Sequence, residues 1–115
     1  MTPRQISKKL YAALDELKAV DIQVLDVQNL TSITDIMIIA SGRSGRQVKA
    51  LAEKVIETSK ELGMPPLGVE GERQAEWILV DIGDVVAHLM HPVTRDYYQL
   101  EKLWLAEDRQ IISFK

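Results

Sequence analysis

The sequence has 115 residues, of which 46% are hydrophobic and 27% are charged, a balance typical of a globular chain with one hydrophobic core. It contains no cysteine, which excludes disulfides, thiolate zinc sites and cysteine nucleophiles. The formal net charge of −3 argues against a nucleic-acid-binding surface, because phosphate binding needs a concentrated basic patch. There is no signal-peptide-like start and no apolar run of roughly 18 residues. We therefore expect a cytoplasmic protein that has no membrane segment and favours a basic protein partner.

The N-terminal segment predicts a helix followed by a strand. Thr2 and Gln5 have the spacing of a capping box, with Pro3 at the first helical position. Apolar residues then recur at helical spacing, so the helix is predicted to run to about Ala19. Residues 21–27 alternate between apolar and polar side chains, which predicts a strand.

The next segment predicts a buried strand and a second helix. Residues 36–40 form an apolar run with β-branched side chains, the pattern of a strand buried on both faces. Ser44 and Gln47 form a second capping box, and Gly63 is the residue type that ends a helix. The long connection that follows is rich in proline and glycine, although residues 67–69 could add a short edge strand.

Residues 76–91 predict a β-hairpin whose two faces differ chemically. Gly83 and Asp84 separate two apolar runs, which indicates a two-residue turn. Pairing outward from the turn places only aliphatic side chains on one face, which is therefore core. The other face carries three cross-strand pairs: Trp77 with Met90, Leu79 with His88, and Asp81 with Val86.

That second face is too apolar for water and too polar for a deep core. Tryptophan and methionine beside a single carboxylate are typical of a partner-binding surface. The alternative, at least equally consistent with composition, is that a segment of the same chain covers the face.

The C-terminal part predicts a third helix and a short apolar tail. Thr94 can cap the helix, and its buried stripe is predicted to contain Val93, Tyr97, Leu100 and Trp104, with Tyr98 and Leu105 on the flank. Residues 111–114 could form a last strand or a docking segment. Together the elements predict one compact α/β domain over residues 1–115, a mixed β-sheet flanked by helices.

Two constellations could carry chemistry, and neither is convincing. The turn Ser41–Arg46 joins a strand to a helix N-terminus, as phosphate-binding loops do. It lacks the Walker and dinucleotide spacings and the paired acids that a nucleotidyltransferase needs for Mg²⁺, so a turn with a helix cap is favoured. His88 and His91 are three apart on a strand and would point to opposite faces, so they cannot share a metal ion. The sequence shows no convincing catalytic centre, metal site or cofactor site.

Several short motifs, in order and spacing, resemble the ribosomal silencing factor (Iojap-like) family. They extend from about Ile6 to Trp104, and residues 105–115 remain an unassigned tail. Where many members have aromatics after the Thr34-Asp35 pair, this chain has Ile36-Met37. The motifs are Asp21-Ile-x-x-Leu-Asp-Val, Thr31-Ser-Ile-Thr-Asp35, Ile38-Ile-Ala-Ser-Gly-x-Ser44, Arg46-Gln-Val48, Glu76-Trp77, Asp81-x-Gly-Asp-Val-Val-x-His88 and Arg95-x-x-Tyr98-x-Leu-Glu-x-Leu-Trp104.

The resemblance implies a protein that is not an enzyme and needs no cofactor. Family members bind the large ribosomal subunit at the protein numbered fourteen, on the face that meets the small subunit. They thereby block subunit joining and repress translation when nutrients are short. The resemblance also implies a nucleotidyltransferase-like core without catalytic acids, a possible homodimer when free, and at most peripheral contact with ribosomal RNA.

The face predicted from the hairpin and the family's function together suggest one binding surface. Trp77 is the predicted anchor, with the other contributors being Leu79, Asp81, His88, Met90 and Tyr98. Two alternatives remain open: a nucleotidyltransferase-like enzyme that uses the Ser41–Arg46 turn, and a generic dimeric adaptor.

Overall fold

The computed structural model describes residues 1–100, 102 and 111–114. In this part of the chain, three helices flank a single six-stranded sheet. None of the helices in the described ranges is long and apolar enough to cross a membrane. The elements in chain order are α1 (Pro3–Glu16), β1 (Val20–Asp26), β2 (Ile36–Ser41), α2 (Gly45–Glu61), β3 (Gly68–Glu70), β4 (Trp77–Asp81), β5 (Val85–Met90), α3 (Pro92–Tyr98) and β6 (Ile111–Ile112).

Helix α1 begins as predicted and ends earlier than predicted. The Thr2 hydroxyl accepts from the Gln5 N–H at 3.1 Å, and the Gln5 side chain accepts from the Thr2 N–H at 2.9 Å. These two bonds satisfy donors that the first helical turn leaves free. The helix stops at Glu16 rather than near Ala19 because Lys18 has a left-handed backbone with φ of 59°.

Helix α2 has half of the predicted capping box. The Ser44 hydroxyl accepts from the Gln47 N–H at 3.2 Å. The Gln47 side chain instead accepts from the Arg43 N–H at 2.7 Å, and its amide reaches the Leu17 carbonyl at 3.5 Å, which ties α2 to the end of α1. After the last turn Gly63 has φ of 76°, the conformation for which glycine was predicted there.

The sheet is mixed, as predicted, with strand order β3-β4-β5-β2-β1-β6. Strands β2 and β5 pair in parallel, and the other neighbours are antiparallel. Every residue of β2 and β5 is buried, in accord with their central positions. The predicted edge strand is β3, and the predicted last strand is β6, which pairs with β1 through Val24 and Ile112.

The hairpin register is the predicted one. Trp77 lies opposite Met90, Ile78 opposite Leu89, and Leu79 opposite His88. The Ile82 N–H donates to the Val85 carbonyl at 2.9 Å, which closes the two-residue turn. Gly83 has φ of 96°, a conformation that a residue with a β-carbon rarely adopts.

The two faces of the sheet carry two separate hydrophobic clusters. The larger cluster lies between the sheet and helices α1 and α2, and it contains the aliphatic hairpin face with Ile78 and Leu89. The smaller cluster lies on the opposite face, which we call the outer face. Its buried members are Leu25, Val27, Met37, Ile39 and Met90, with Trp77 and Leu100 packed against them.

The third helix differs from the prediction. His91 rather than Thr94 is its N-cap, and its side chain accepts from the Val93 N–H at 3.3 Å. The helix ends at Tyr98 because Gln99 adopts a left-handed conformation with φ of 49°. The predicted buried stripe is wrong: Val93 and Tyr97 are exposed, and Arg95 is the residue of this helix that is buried. The predictions for Trp104 and Leu105 lie outside the described residues.

Candidate protein-binding surface

The structure divides the predicted binding residues into a buried layer and an accessible layer. Met90 is fully buried and His88 is 5% exposed, so these two predicted contributors lie beneath the surface, although His88 lines a cavity that opens on it. Leu100, which follows α3, packs against the buried cluster that contains Met90, and the Trp77 ring contacts His88. Trp77, Leu79 and Asp81 are half-buried. Tyr98 is 56% exposed and lies beside them.

An aromatic group connects the two layers. The Trp77 indole Nε1–H donates to His88 Nδ1 at 2.9 Å, and the two ring centroids are 5.9 Å apart. On its other side the Trp77 ring lies 5.0 Å from the Tyr98 ring, and Tyr98 meets Tyr97 edge-on at 5.0 Å. These spacings are those of favourable aromatic pairs. The orientation of Trp77 is therefore fixed by His88 in the buried layer and by Tyr98 at the surface.

His88 is a neutral, buried histidine. Burial lowers the pKa of His88 from 6.5 to about 4, because a charged imidazolium loses solvation there. An indole N–H can only donate, so Nδ1 must be the unprotonated nitrogen and the ring proton lies on Nε2. The Nε2–H of His88 has no hydrogen-bond acceptor among the described residues.

A cavity of about 200 Å³ lies beside this group on the outer face. Leu79, Asp81 and His88 of the predicted set line it, together with Val86 of the hairpin. Its other wall is the loop before β2, where Ile33 is 81% exposed. We did not predict a role for Ile33. The available signal was an isoleucine within a polar turn, but a single apolar loop residue has no periodicity that would assign it to a face.

Arg95 is the second residue whose role the sequence did not reveal. Its guanidinium donates to the Asp21 carbonyl at 2.7 Å and to the Ser41 hydroxyl at 3.0 Å. It also lies 3.5 Å from the Asp21 carboxylate, an ion pair that is weak because that carboxylate is largely exposed. Arg95 thereby fixes α3 to the ends of β1 and β2.

The hydrogen bond from Arg95 to Ser41 also bears on whether the Ser41–Arg46 turn could bind a ligand. Ser41 is 2% exposed and its hydroxyl accepts from Arg95, so it does not face a ligand. A β-carbon added at Gly42 would lie 2.7 Å from the Val48 nitrogen, so this glycine is required by close packing. The described geometry is that of a strand-to-helix joint with a capped helix.

The two histidines are not placed to share a ligand. His88 bonds to Trp77 within the outer face, and His91 caps α3. Across residues 1–100, 102 and 111–114, no three histidine, aspartate or glutamate side chains converge as a metal site would require.

Comparison with known proteins assigns the chain to a family. The sequence profile of the family described as "ribosomal silencing factor during starvation" matches residues 1–115. The chain belongs to this family. The match includes the C-terminal segment that the motif resemblance did not reach. A ribosomal silencing factor of Chromobacterium violaceum is 50% identical over 104 residues, which cover 90% of this chain and 85% of that protein.

Solved structures and an organellar relative agree with this assignment. A crystal structure of a protein from Chromobacterium violaceum, 46% identical, superposes with a TM-score of 0.90 and covers 98% of this chain and 94% of that one. A mouse protein named mitochondrial assembly of ribosomal large subunit protein 1 is 38% identical over 98 residues. These residues make up 83% of this chain and 43% of the mouse protein.

Proposed function

We propose that this protein silences ribosomes by occupying the large subunit. It binds the intersubunit face at ribosomal protein fourteen and sterically blocks joining of the small subunit, which represses translation when nutrients are short. Family membership supports the general role, and the mouse relative's name refers to the large ribosomal subunit. The protein acts as a regulator in the cytoplasm without a catalytic step.

The accessible aromatic group is the observation that carries the proposal of a binding surface. Trp77 and Tyr98 present large rings at the protein surface, and buried side chains hold Trp77 in a single orientation. Aromatic anchors that are ordered before binding lose little conformational entropy on association. They are also the residue types that most often dominate an interface.

Leu79 and Asp81 extend this surface along β4 toward the hairpin turn. Leu79 adds apolar area, and Asp81 adds a carboxylate that suits a basic partner, in keeping with the net charge of −3. A standard interface buries about 800 Å² on each partner, and one sheet face with an adjoining helix can supply a good share of that area. In this arrangement contact with ribosomal RNA is peripheral. The free protein forms a homodimer, which shields apolar surface when no ribosome is present.

Capture of ribosomal particles from a lysate tests the proposal. The tagged protein is immobilised, and bound particles are separated on a sucrose gradient at a magnesium concentration that keeps whole ribosomes intact. We expect large subunits to be retained without small subunits. Retention of whole ribosomes, or of neither particle, would contradict the proposal.

A matched pair of variants tests whether the large subunit contacts the outer face. Tyr98→Ala removes an exposed ring of the binding surface and should weaken capture of large subunits. Lys54→Ala changes a surface residue of α2, on the opposite side of the sheet, and should leave capture unchanged. Tyr98 is exposed and Lys54 is half-buried, and neither belongs to the buried core, so neither change should disturb folding.

A further inference from the structure

The cavity on the outer face has an unusual combination of walls. Ile33, Leu79 and Val86 make most of its surface apolar, and the cavity is open to solvent on one side. Two of its polar groups have unused hydrogen-bonding capacity. One belongs to His88 and the other to Asp81, which lie on neighbouring strands of the same hairpin face.

The first unused group is a donor. Nδ1 of His88 is occupied by the Trp77 indole, so the polar atom that His88 can still offer is its Nε2–H. His88 is 5% exposed, and no described residue accepts from it. A buried donor without a partner costs free energy, so a ligand that supplies an acceptor here gains an interaction that the free protein lacks.

The second unused group is an acceptor. Asp81 Oδ1 accepts from the Gly83 N–H at 2.8 Å, a bond that orients the carboxylate. Oδ2 has no hydrogen-bond partner among the described residues, and no cation lines the cavity. The cavity therefore combines an apolar wall, one donor and one acceptor.

A hydroxyl group is the chemical group that can accept one hydrogen bond and donate another at the same atom. The volume of about 200 Å³ exceeds the roughly 150 Å³ that holds a benzene ring in an apolar protein cavity. We infer that this cavity receives a tyrosine side chain of the protein partner, with the ring against Ile33 and Leu79 and the phenol hydroxyl between His88 and Asp81. The inference rests on the proposed function for the identity of the partner, and it adds the kind of side chain that is recognised.

Small-molecule probes test the cavity without any ribosome. The probes are 4-methylphenol, which is the tyrosine side chain, and toluene, which lacks the hydroxyl. Each is titrated into the isotope-labelled protein while the amide and indole N–H signals are followed by NMR. We expect 4-methylphenol to shift the signals of Leu79, His88 and the Trp77 indole, and to bind about five-fold more tightly than toluene, as a net hydrogen bond would give.

Three variants separate the parts of the inference. Asp81→Asn keeps the acceptor for Gly83 but replaces Oδ2 with a donor, so the preference for 4-methylphenol over toluene should become smaller. Ile33→Ser removes an exposed apolar wall and should weaken both probes. Val93→Ser changes a residue that is 71% exposed and follows the far end of β5, and it should alter neither probe.

Purified large subunits complete the test. Binding of 4-methylphenol is then followed by saturation-transfer NMR. The saturation that the protein transfers to the probe should fall when large subunits are added, because the partner's side chain displaces the probe. Equal affinities for the two probes, or no response at the cavity, would overturn the inference. A probe that stays bound in the presence of subunits would also overturn it. Capture of large subunits by the tagged protein is a separate readout, so the proposed function would survive either result.

Discussion

Trp77 contributes both to the surface and to the structure beneath it, because its ring is partly accessible and its N–H is bonded inward to His88. Trp77→Ala should therefore lower the affinity for large subunits by about 2–4 kcal/mol, the range of a central interface residue. It should also lower the free energy of unfolding by about 1–3 kcal/mol, because the buried His88 nitrogen loses its donor. Quantitative co-sedimentation and urea unfolding measure the two effects.

Two further variants serve as controls for this prediction. Trp77→Phe keeps an aromatic ring but removes the indole N–H, so stability should fall while most of the subunit affinity remains. Tyr97→Ala removes an exposed ring that contacts Tyr98 from outside, and it should change stability by less than about 0.5 kcal/mol. An unchanged affinity for Trp77→Ala in a folded protein would show that the aromatic group is not the contact.

His88 makes stability depend on pH in a defined direction. Burial lowers the pKa of His88 from 6.5 to about 4, so as the pH falls the unfolded chain takes up the proton first. The stabilisation from neutral His88 is complete above pH 6.5 and is lost as the pH falls toward 4. At 1.36 kcal/mol for each pH unit, the total loss over this window is about 3 kcal/mol.

A histidine variant isolates this contribution from that of the carboxylates. His88→Gln keeps a side-chain acceptor for the Trp77 indole but does not titrate. Urea unfolding between pH 7 and 4 should therefore show a shallower fall in stability for His88→Gln than for the wild type. Parallel curves would show that folding does not lower the pKa of His88.

The sequence predicted which hairpin residues share a face, but it did not predict how deeply each is buried. Alternation of side chains along a strand is a local property, so Trp77, Leu79 and His88 could be assigned to one face from the turn alone. The burial of Met90 depends on Leu100, which follows α3 and packs against the same cluster, and His88 is contacted by the Trp77 ring. These are tertiary contacts without a periodic signature.

At the level of single elements, the hairpin register is the feature most open to test. Ile78 is fully buried on the inner face opposite Leu89, one residue along from Trp77. Ile78→Ala should lower the free energy of unfolding by about 2–5 kcal/mol as a core truncation. Subunit binding should be impaired only to the extent that the protein unfolds, which thermal melts and co-sedimentation below the melting temperature can show.

A comparison with Trp77→Ala makes this a test of register. A one-residue slip would exchange the faces of the two side chains. If Ile78→Ala abolished binding in a fully folded protein, the assignment of the two faces would be inverted.

The turn between β2 and α2 could serve as a helix cap or as a ligand-binding turn, and a substitution at Ser44 distinguishes the two roles. Ser44→Ala removes the hydroxyl that accepts from the Gln47 N–H, and it should cost about 1 kcal/mol of stability. Capture of large subunits should not change once folding is accounted for, and treating the protein with a metal chelator that is removed before capture should have no effect either. A large loss of capture by the folded variant would show that this turn takes part in binding.

The sequence predicted helix and strand boundaries well where local signals were strong. It predicted them less well where contacts between distant residues determine the structure. The caps at Thr2 and Ser44 and the stop at Gly63 depend on residues within a few positions, and they were found at the predicted sites. Helix α3 was predicted to be longer because its apolar residues continue at helical spacing. In the structure Arg95 instead faces inward toward Asp21, 74 positions earlier in the chain. No local pattern indicates such a contact.

For the molecule as a whole, most of the hydrophobic core lies on one side of the sheet, and the proposed binding surface lies on the other. Helices α1 and α2 cover one side of the sheet and complete the main core, whereas the described residues that lie against the outer face include Leu100 and the loop before β2. The accessible part of that face therefore lies on a rigid sheet rather than on a loop, which favours an interface that is formed before the partner arrives. A rigid surface of this kind suits a protein that is proposed to act by steric blocking.

Order of addition tests whether occupancy alone explains silencing. Purified protein is added to a translation assay either with separated subunits or after the subunits have joined. If blocking is steric, inhibition should be strong in the first case and much weaker in the second, because the small subunit already covers the site. Trp77→Ala should lose inhibition in the first case, and Lys54→Ala should retain it. Equal inhibition of separated and joined subunits would contradict a steric mechanism, since a catalytic or decoding effect would not depend on which partner reaches the large subunit first.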